Sequence, residues 1–202
     1  MFYDAIKRNH GLPHDPFKAI VTPRPIGWIT SMNTKGESNL APYSFFNGVS
    51  GRPPIVMFSS ESFKDSVAFV EETKEFVCSL ATFELRGAMN ATAAPLPRGR
   101  NEMDAAGLEA APSHMVRPPR VAASPCALEC RWLQTVRLDD TAGRPLNCFV
   151  VFGQVVGIYI DDRFIKNGWL DTAAMRPIAR CGYDEYATVE QVFKMPRPPG
   201  GE

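Results

Sequence analysis

Two neighbouring stretches hold the residues whose types and spacing could do chemistry. The first is FSSESFKDS, residues 58–66, which leaves an apolar run and enters a helical pattern. A helix start binds anions, because its first backbone N–H groups lack intrahelical acceptors and the dipole is positive there. Ser59, Ser60, Ser62 and Ser66 add hydroxyl donors, and Lys64 adds a full charge. The dipole contributes about 0.3–1 kcal/mol. A hydrogen bond to a charged group contributes about 1.5–3 kcal/mol, so several converging on one point would hold a phosphate monoester. A capped helix beside an exposed lysine accounts for the same residues.

The second stretch is NLAPYSFFNGVSGRPP, residues 39–54. Tyr43, Phe45, Phe46 and Val49 are interleaved with Asn39, Ser44, Asn47 and Ser50. A planar heteroaromatic with hydrogen-bonding edges needs apolar faces and polar rims. Ser44, Asn47 and backbone N–H groups would meet such edges, and Gly48 and Gly51 would permit close backbone approach. A tight turn between two strands, with the phenylalanines in the core, is the alternative.

Other routes to chemistry are missing. The chain has no GxGxxG, no GxxxxGK and no GxSxG. His10, His14 and His114 have no carboxylate or thiol at a metal-ligand spacing. The five cysteines, Cys78, Cys126, Cys130, Cys148 and Cys181, form no CxxC pair and read as free thiols of a reducing compartment. The sequence therefore offers no evident nucleophile, triad or metal cluster.

The elements that must position these residues follow from pattern. Residues 26–32 read as a strand, 33–36 (NTKG) as a turn and 37–43 as the returning arm of a hairpin. Residues 55–60 are a short apolar run, as in a strand buried on both faces. Residues 62–74 read as a helix capped by Asp65 or Ser66, with Val67, Phe69 and Val70 inward. Residues 75–81 alternate, 82–93 look helical, APLPRGRN (94–101) is a loop, and a short helix follows near 101–106. In 124–138, Cys126, Leu128, Cys130, Trp132, Val136 and Leu138 share one face; Glu129, Arg131, Thr135 and Arg137 share the other. A turn, DDTAGRP, leads to a long strand at 146–160 in which Gly153 and Gly157 mark bends or bulges. A surface segment at 161–174, a short element at 177–187 and a disordered tail at 196–202 complete the chain. Strands arranged as hairpins, with helices inserted, predict a mainly β protein: an antiparallel, Greek-key-like barrel with appended helices.

The 202 residues show no repeat or linker, so one domain is expected over 1–202, its core at about 15–195. Twenty-two basic and 22 acidic residues cancel, which argues against a general electrostatic nucleic-acid binder. No signal peptide and no apolar run of membrane-spanning length is evident, so a cytoplasmic protein is expected.

The ordered set PRPIGWITSMNTKG, NLAPYSFFNGVSGRPPIVMFSS, KDS opening a helix, EFVCSLAT, MNATAAPLPRG, AAGL, VRPPRVAASPCALECRW and PIARCGYDEYA resembles the flavin reductase-like family, over about residues 15–195. The resemblance implies an FMN-binding split barrel that takes electrons from NAD(P)H. It implies reduced flavin supplied to a separate monooxygenase, with an FMN-dependent oxygenase or an electron-transfer module as alternatives. Matched residue by residue, it places Tyr43, Ser44, Phe45 and Asn47 along the flavin, and Ser59, Ser60, Lys64 and Ser66 at its phosphate. It places Asn90 near the cofactor or nicotinamide face and Arg24 near the flavin. Tyr183 and Tyr186 fall in a segment that closes over the site, often from the second subunit of a homodimer with the flavin at its interface. Two departures are KDS where many relatives read KDT, and RCGY, with Cys181, where they often read RLGG.

Overall fold

Long alternating strands decide the architecture, and the computed structural model describes residues 1–97 and 100–198. The elements begin with α1 (Phe17–Ile20), β1 (Arg24–Pro25), β2 (Gly27–Met32), β3 (Ser38–Tyr43), β4 (Phe46–Gly51) and β5 (Pro54–Ser60). Then come α2 (Asp65–Thr73), β6 (Glu75–Leu80), α3 (Arg86–Ala91), α4 (Glu102–Ala105), β7 (Ala110–Ala111) and β8 (Arg120–Val121). The chain continues through β9 (Cys126–Asp139), β10 (Pro145–Ile160), β11 (Ile165–Lys166), β12 (Trp169–Leu170), α5 (Thr172–Met175), β13 (Ile178–Arg180) and β14 (Tyr186–Thr188).

Seven strands form one antiparallel sheet in the order β3-β2-β6-β9-β10-β5-β4. Its two end strands are consecutive in sequence, joined by Ser44 and Phe45, so the sheet curls until its ends meet. Tyr43 of β3 packs on Phe58 of β5 with ring centroids 4.8 Å apart. Phe46 of β4 lies against Gly27 of β2; a Cβ there would sit 2.5 Å from the Phe46 ring. Ile29, Val56, Phe58, Phe76, Cys130 and Val151 fill the barrel. A second cluster, with Trp28, Leu40, Met89, Met103 and Ile178, packs α3, α4 and β13 outside the sheet.

The β2–β3 hairpin, its Asn33–Gly36 turn and the strands at 54–60, 75–80, 126–139 and 145–160 agree with the sequence, except that β5 is not buried on both faces: Val56, Phe58 and Ser60 are buried and alternate with half-buried Ile55, Met57 and Ser59. Both expected bulges occur: the β9–β10 register shifts at Phe152/Gly153 and between Val155 and Gly157. The long helix expected at 82–93 contracts to α3, because Thr82 bridges Pro177 and the Phe83 N–H donates to the Arg176 carbonyl, which keeps this segment extended. Helix α2 begins at Asp65; its N-cap is Lys64, so neither Asp65 nor Ser66 caps it. Glu129, expected on the wet face, is buried; its carboxylate accepts from the His114 and Met115 N–H groups and ties that loop to β9. Val136 and Leu138 are exposed at the far end of the same strand. Of the expected tail, residues 196–198 carry no secondary structure and 199–202 lie outside the described residues, as do 98–99 of the APLPRGRN loop.

All five cysteines are free thiols. Burial pushes the Cys78 thiol up to about 12, and Cys130 is also raised by burial, so both pack as small apolar groups.

Gly153 is required by close approach: a Cβ there would lie 2.4 Å from the ring of fully buried Phe76. Gly153→Ala is expected to cost about 1–3 kcal/mol of stability by overpacking. Urea denaturation checks this, and an unchanged midpoint would show that the ring can move aside.

Candidate functional site

A groove runs along the outer edge of β3, built by what covers that edge. The Leu40 N–H points away from β2 and donates to the Glu102 carboxylate of α4, 3.0 Å away. The Trp28 indole donates to Thr92 Oγ1 at 2.9 Å, and Thr92 Oγ1 donates to the Met89 carbonyl at 2.7 Å. These bonds hold α3 and the chain after it beside β3 without closing onto it. Three hollows result, each sharing wall residues with the next.

The first hollow, about 490 Å³, lies where α2 begins. Asn39, Ala41 and Tyr43 line it, being alternate residues on one face of β3, together with Lys64, Asp65, Ser66 and Glu102. Lys64 makes no side-chain cap bond to α2. The first-turn N–H groups of a helix have no intrahelical acceptors. Ser66 Oγ accepts from Asn39 Nδ2 at 2.7 Å. The Tyr43 hydroxyl is buried and has no hydrogen-bond partner among the described residues. Burial raises its pKa, and the nearby Ser66 and Ser60 hydroxyls offset part of the rise. An unpartnered buried hydroxyl, a lysine and a helix start, the chemistry that suits an anion, thus meet in one hollow beside the carboxylates of Asp65 and Glu102.

The second hollow, about 190 Å³, is lined by Pro42, Ser44, Asn90, Ala93, Arg180 and Tyr186 among others; it shares Pro42 and Ala93 with the first. The third, about 480 Å³, shares Met89, Asn90, Arg180 and Tyr186 with the second and continues past Phe83 and Arg86. The smaller middle hollow thus joins the one at the start of α2 to a roomier chamber.

Of the sequence-derived candidates, Tyr43, Ser44, Lys64, Ser66, Asn90 and Tyr186 line this groove. The others are placed off its walls. Arg24 is buried, and its guanidinium donates to the carbonyls of Lys18, Val21 and Cys181, clamping α1 to the β13–β14 hairpin. The Phe45 ring faces the Lys18 and Arg24 cations, and its carbonyl accepts from the Ser59 N–H. Asn47 is exposed on β4 and accepts from the Gly48 N–H. Ser59 Oγ lies 3.3 Å from Cys148 Sγ, and Ser60 Oγ donates to the Ser62 carbonyl. Tyr183 is exposed and packs against His14.

Four residues of the groove had been given no role from the sequence: Asn39, Arg86, Glu102 and Arg180. The first two carried a readable signal: Asn39 lies two and four residues from Ala41 and Tyr43 on one strand face, and Arg86 lies one helical turn before Asn90.

Comparison with known proteins places the chain in a family. Residues 20–173 match the model of the flavin reductase like domain. An uncharacterised protein of Deinococcus radiodurans is 35% identical over 193 residues, covering 89% of this chain and 82% of its own. Among solved structures, nitrilotriacetate monooxygenase component B from Bacillus cereus superposes with a TM-score of 0.86 at 27% identity, over 96% of this chain and 98% of that one. The 2-nitrobenzoate 2-nitroreductase of Pseudomonas fluorescens superposes with a TM-score of 0.85 at 22% identity, over 100% and 98%. The second shows the shared fold, as does a flavin reductase with a split barrel domain from Shewanella frigidimarina, with a TM-score of 0.83 at 18% identity over 98% and 100%. With three quarters of its length under the family model and the same barrel beneath the groove, the chain belongs to the flavin reductase like family.

Proposed function

We infer that the groove holds flavin mononucleotide and that the protein is an NAD(P)H-dependent flavin reductase, supplying reduced flavin to a separate monooxygenase. The observation that carries this reading is the anion seat at one end of a slot with polar rims. Lys64, Ser66, the first turn of α2 and the orphaned Tyr43 hydroxyl suit a phosphate monoester. Ser44 and Asn90 suit the edge of a planar ring. A flavin bound there would accept a hydride from the nicotinamide and pass electrons onward. The chain's own part is to bind, to orient and to leave room in the third hollow for the second molecule. Similarity to a monooxygenase component supports the role as electron supplier.

The reading extends to a homodimer in the cytoplasm with flavin at its interface. Leu133, Val136, Leu138 and Leu146 are exposed along the β9–β10 hairpin, an apolar arm suited to a second copy. Five free cysteines fit a reducing compartment. Sedimentation is expected to give twice the chain mass, with Val136→Glu shifting the equilibrium to monomer. A wild-type protein that sediments as a monomer at micromolar concentration would remove the dimer.

Flavin mononucleotide should bind at least about tenfold tighter than riboflavin, which lacks the phosphate, and Lys64→Ala should narrow that difference several-fold. Fluorescence titration measures both; equal affinities for the two flavins would sink the phosphate assignment. Anaerobic NADH or NADPH should bleach the bound flavin, and a band that persists would remove the reductase activity. Tyr43→Phe separates binding from folding. It deletes an unpaired buried hydroxyl, so the ligand-free protein should be as stable or more stable. Flavin mononucleotide affinity should fall by about three- to tenfold as the hydroxyl's new bond is lost. A destabilised ligand-free variant with unchanged affinity would contradict the assignment.

A further inference from the structure

The third hollow has a charge that the flavin reading leaves unused. Arg86 and Asn90 project from one face of α3, a helical turn apart, and both line the hollow. Arg86 donates through Nη1 to the Phe83 carbonyl at 2.6 Å. Its guanidinium stacks on the Phe83 ring, 3.8 Å from the centroid. Arg176 stacks on the same ring at 4.2 Å, but Glu84 and Glu190, each at 2.7 Å, neutralise it. Among the described residues no carboxylate lies in ion-pair range of Arg86. On the opposite wall, Arg180 donates to the Tyr186 hydroxyl at 2.6 Å. Its one carboxylate, Asp184, is 3.3 Å away and fully exposed, so that pair holds little of the charge.

The wall therefore carries a net positive charge beside the slot, presented by planar guanidinium groups against aromatic rings. A guanidinium has five N–H donors in a fixed fork. Arg86 uses one, leaving a pair suited to the two oxygens of a carboxylate or phosphate.

Resting on the flavin reading, we propose that Arg86 is a specificity-determining residue: the molecule that meets the flavin in the third hollow is an organic anion, and Arg86 binds its anionic group. That group is a phosphate of a dinucleotide donor or a carboxylate of a small aromatic acceptor. The chemistry is the same, and the experiment separates the two sources.

Flavin-loaded wild type, Arg86→Gln and Arg86→Lys are compared with paired charged and neutral ligands. NADH is paired with uncharged N-benzyl-dihydronicotinamide as donor; benzoate is paired with benzamide as a ligand that perturbs the flavin spectrum. If the donor phosphate is read, Arg86→Gln raises the KM for NADH about tenfold or more, leaves kcat nearly unchanged and spares the neutral donor. If an acceptor carboxylate is read, the variant weakens benzoate about tenfold and spares both benzamide and NADH. Under either outcome Arg86→Lys restores part of the loss, as a point charge without the fork. Equal effects on charged and neutral ligands, or none, overturn the inference while flavin uptake stands. A wild-type protein that takes up no flavin overturns the underlying reading and this inference together.

Discussion

The outer edge of β3 is the constraint on which the site depends. A strand at the end of a sheet presents backbone donors and acceptors that must be covered or solvated. Here a buried carboxylate covers it: Glu102 takes the Leu40 N–H, and the Trp28–Thr92 bond fixes α3 alongside. Helices cover an edge less tightly than another strand would. The space they leave is the groove, and its walls are the edge strand, the α3 face and the β13–β14 hairpin.

The polar groups along that groove are uneven in a telling way. Most buried polar side chains have partners: Glu129 takes its loop, Ser124 takes Leu80 and Cys126, and Arg24 takes three carbonyls. Among the described residues the Tyr43 hydroxyl has none, nor have Arg24 Nε, Thr30, Ser31 and Arg120 Nε, but of these five groups only Tyr43 lines the groove. Leaving a buried donor unpaired costs about 1–3 kcal/mol. Beside Lys64 and the start of α2, that cost is understandable if a ligand supplies the missing partner. Arg24 illustrates the other case. It lies off the groove, yet it clamps α1 to the hairpin carrying Arg180 and Tyr186, so it acts on the site through position.

The barrel strands were legible because period-2 alternation survives wherever one face meets the core. The bulges at Gly153 and Gly157 were legible because an isolated glycine in an apolar strand signals close approach. Strand β4 was not legible: as an end strand from Asn47 to Gly51 it is exposed, so nothing forces alternation, and its residues read as a turn. Glu129 was misplaced because a carboxylate satisfied by backbone donors can be buried where the pattern demands a wet face. Of the six candidate site residues that line the groove, Tyr43, Ser44, Lys64 and Ser66 come from two stretches that converge on it directly, and Asn90 and Tyr186 come from α3 and β14. Arg86 and Arg180 escaped notice because their meeting depends on β13 packing beside α3, a long-range contact that no local pattern encodes.

The most direct test of this account is a crystal structure of the protein with flavin mononucleotide. The account predicts the phosphate at the first turn of α2, within hydrogen-bond reach of Lys64, Ser66 and the Tyr43 hydroxyl, and the ring between Ser44 and Asn90. A flavin phosphate seated elsewhere, with the Tyr43 hydroxyl still unpaired, would contradict it.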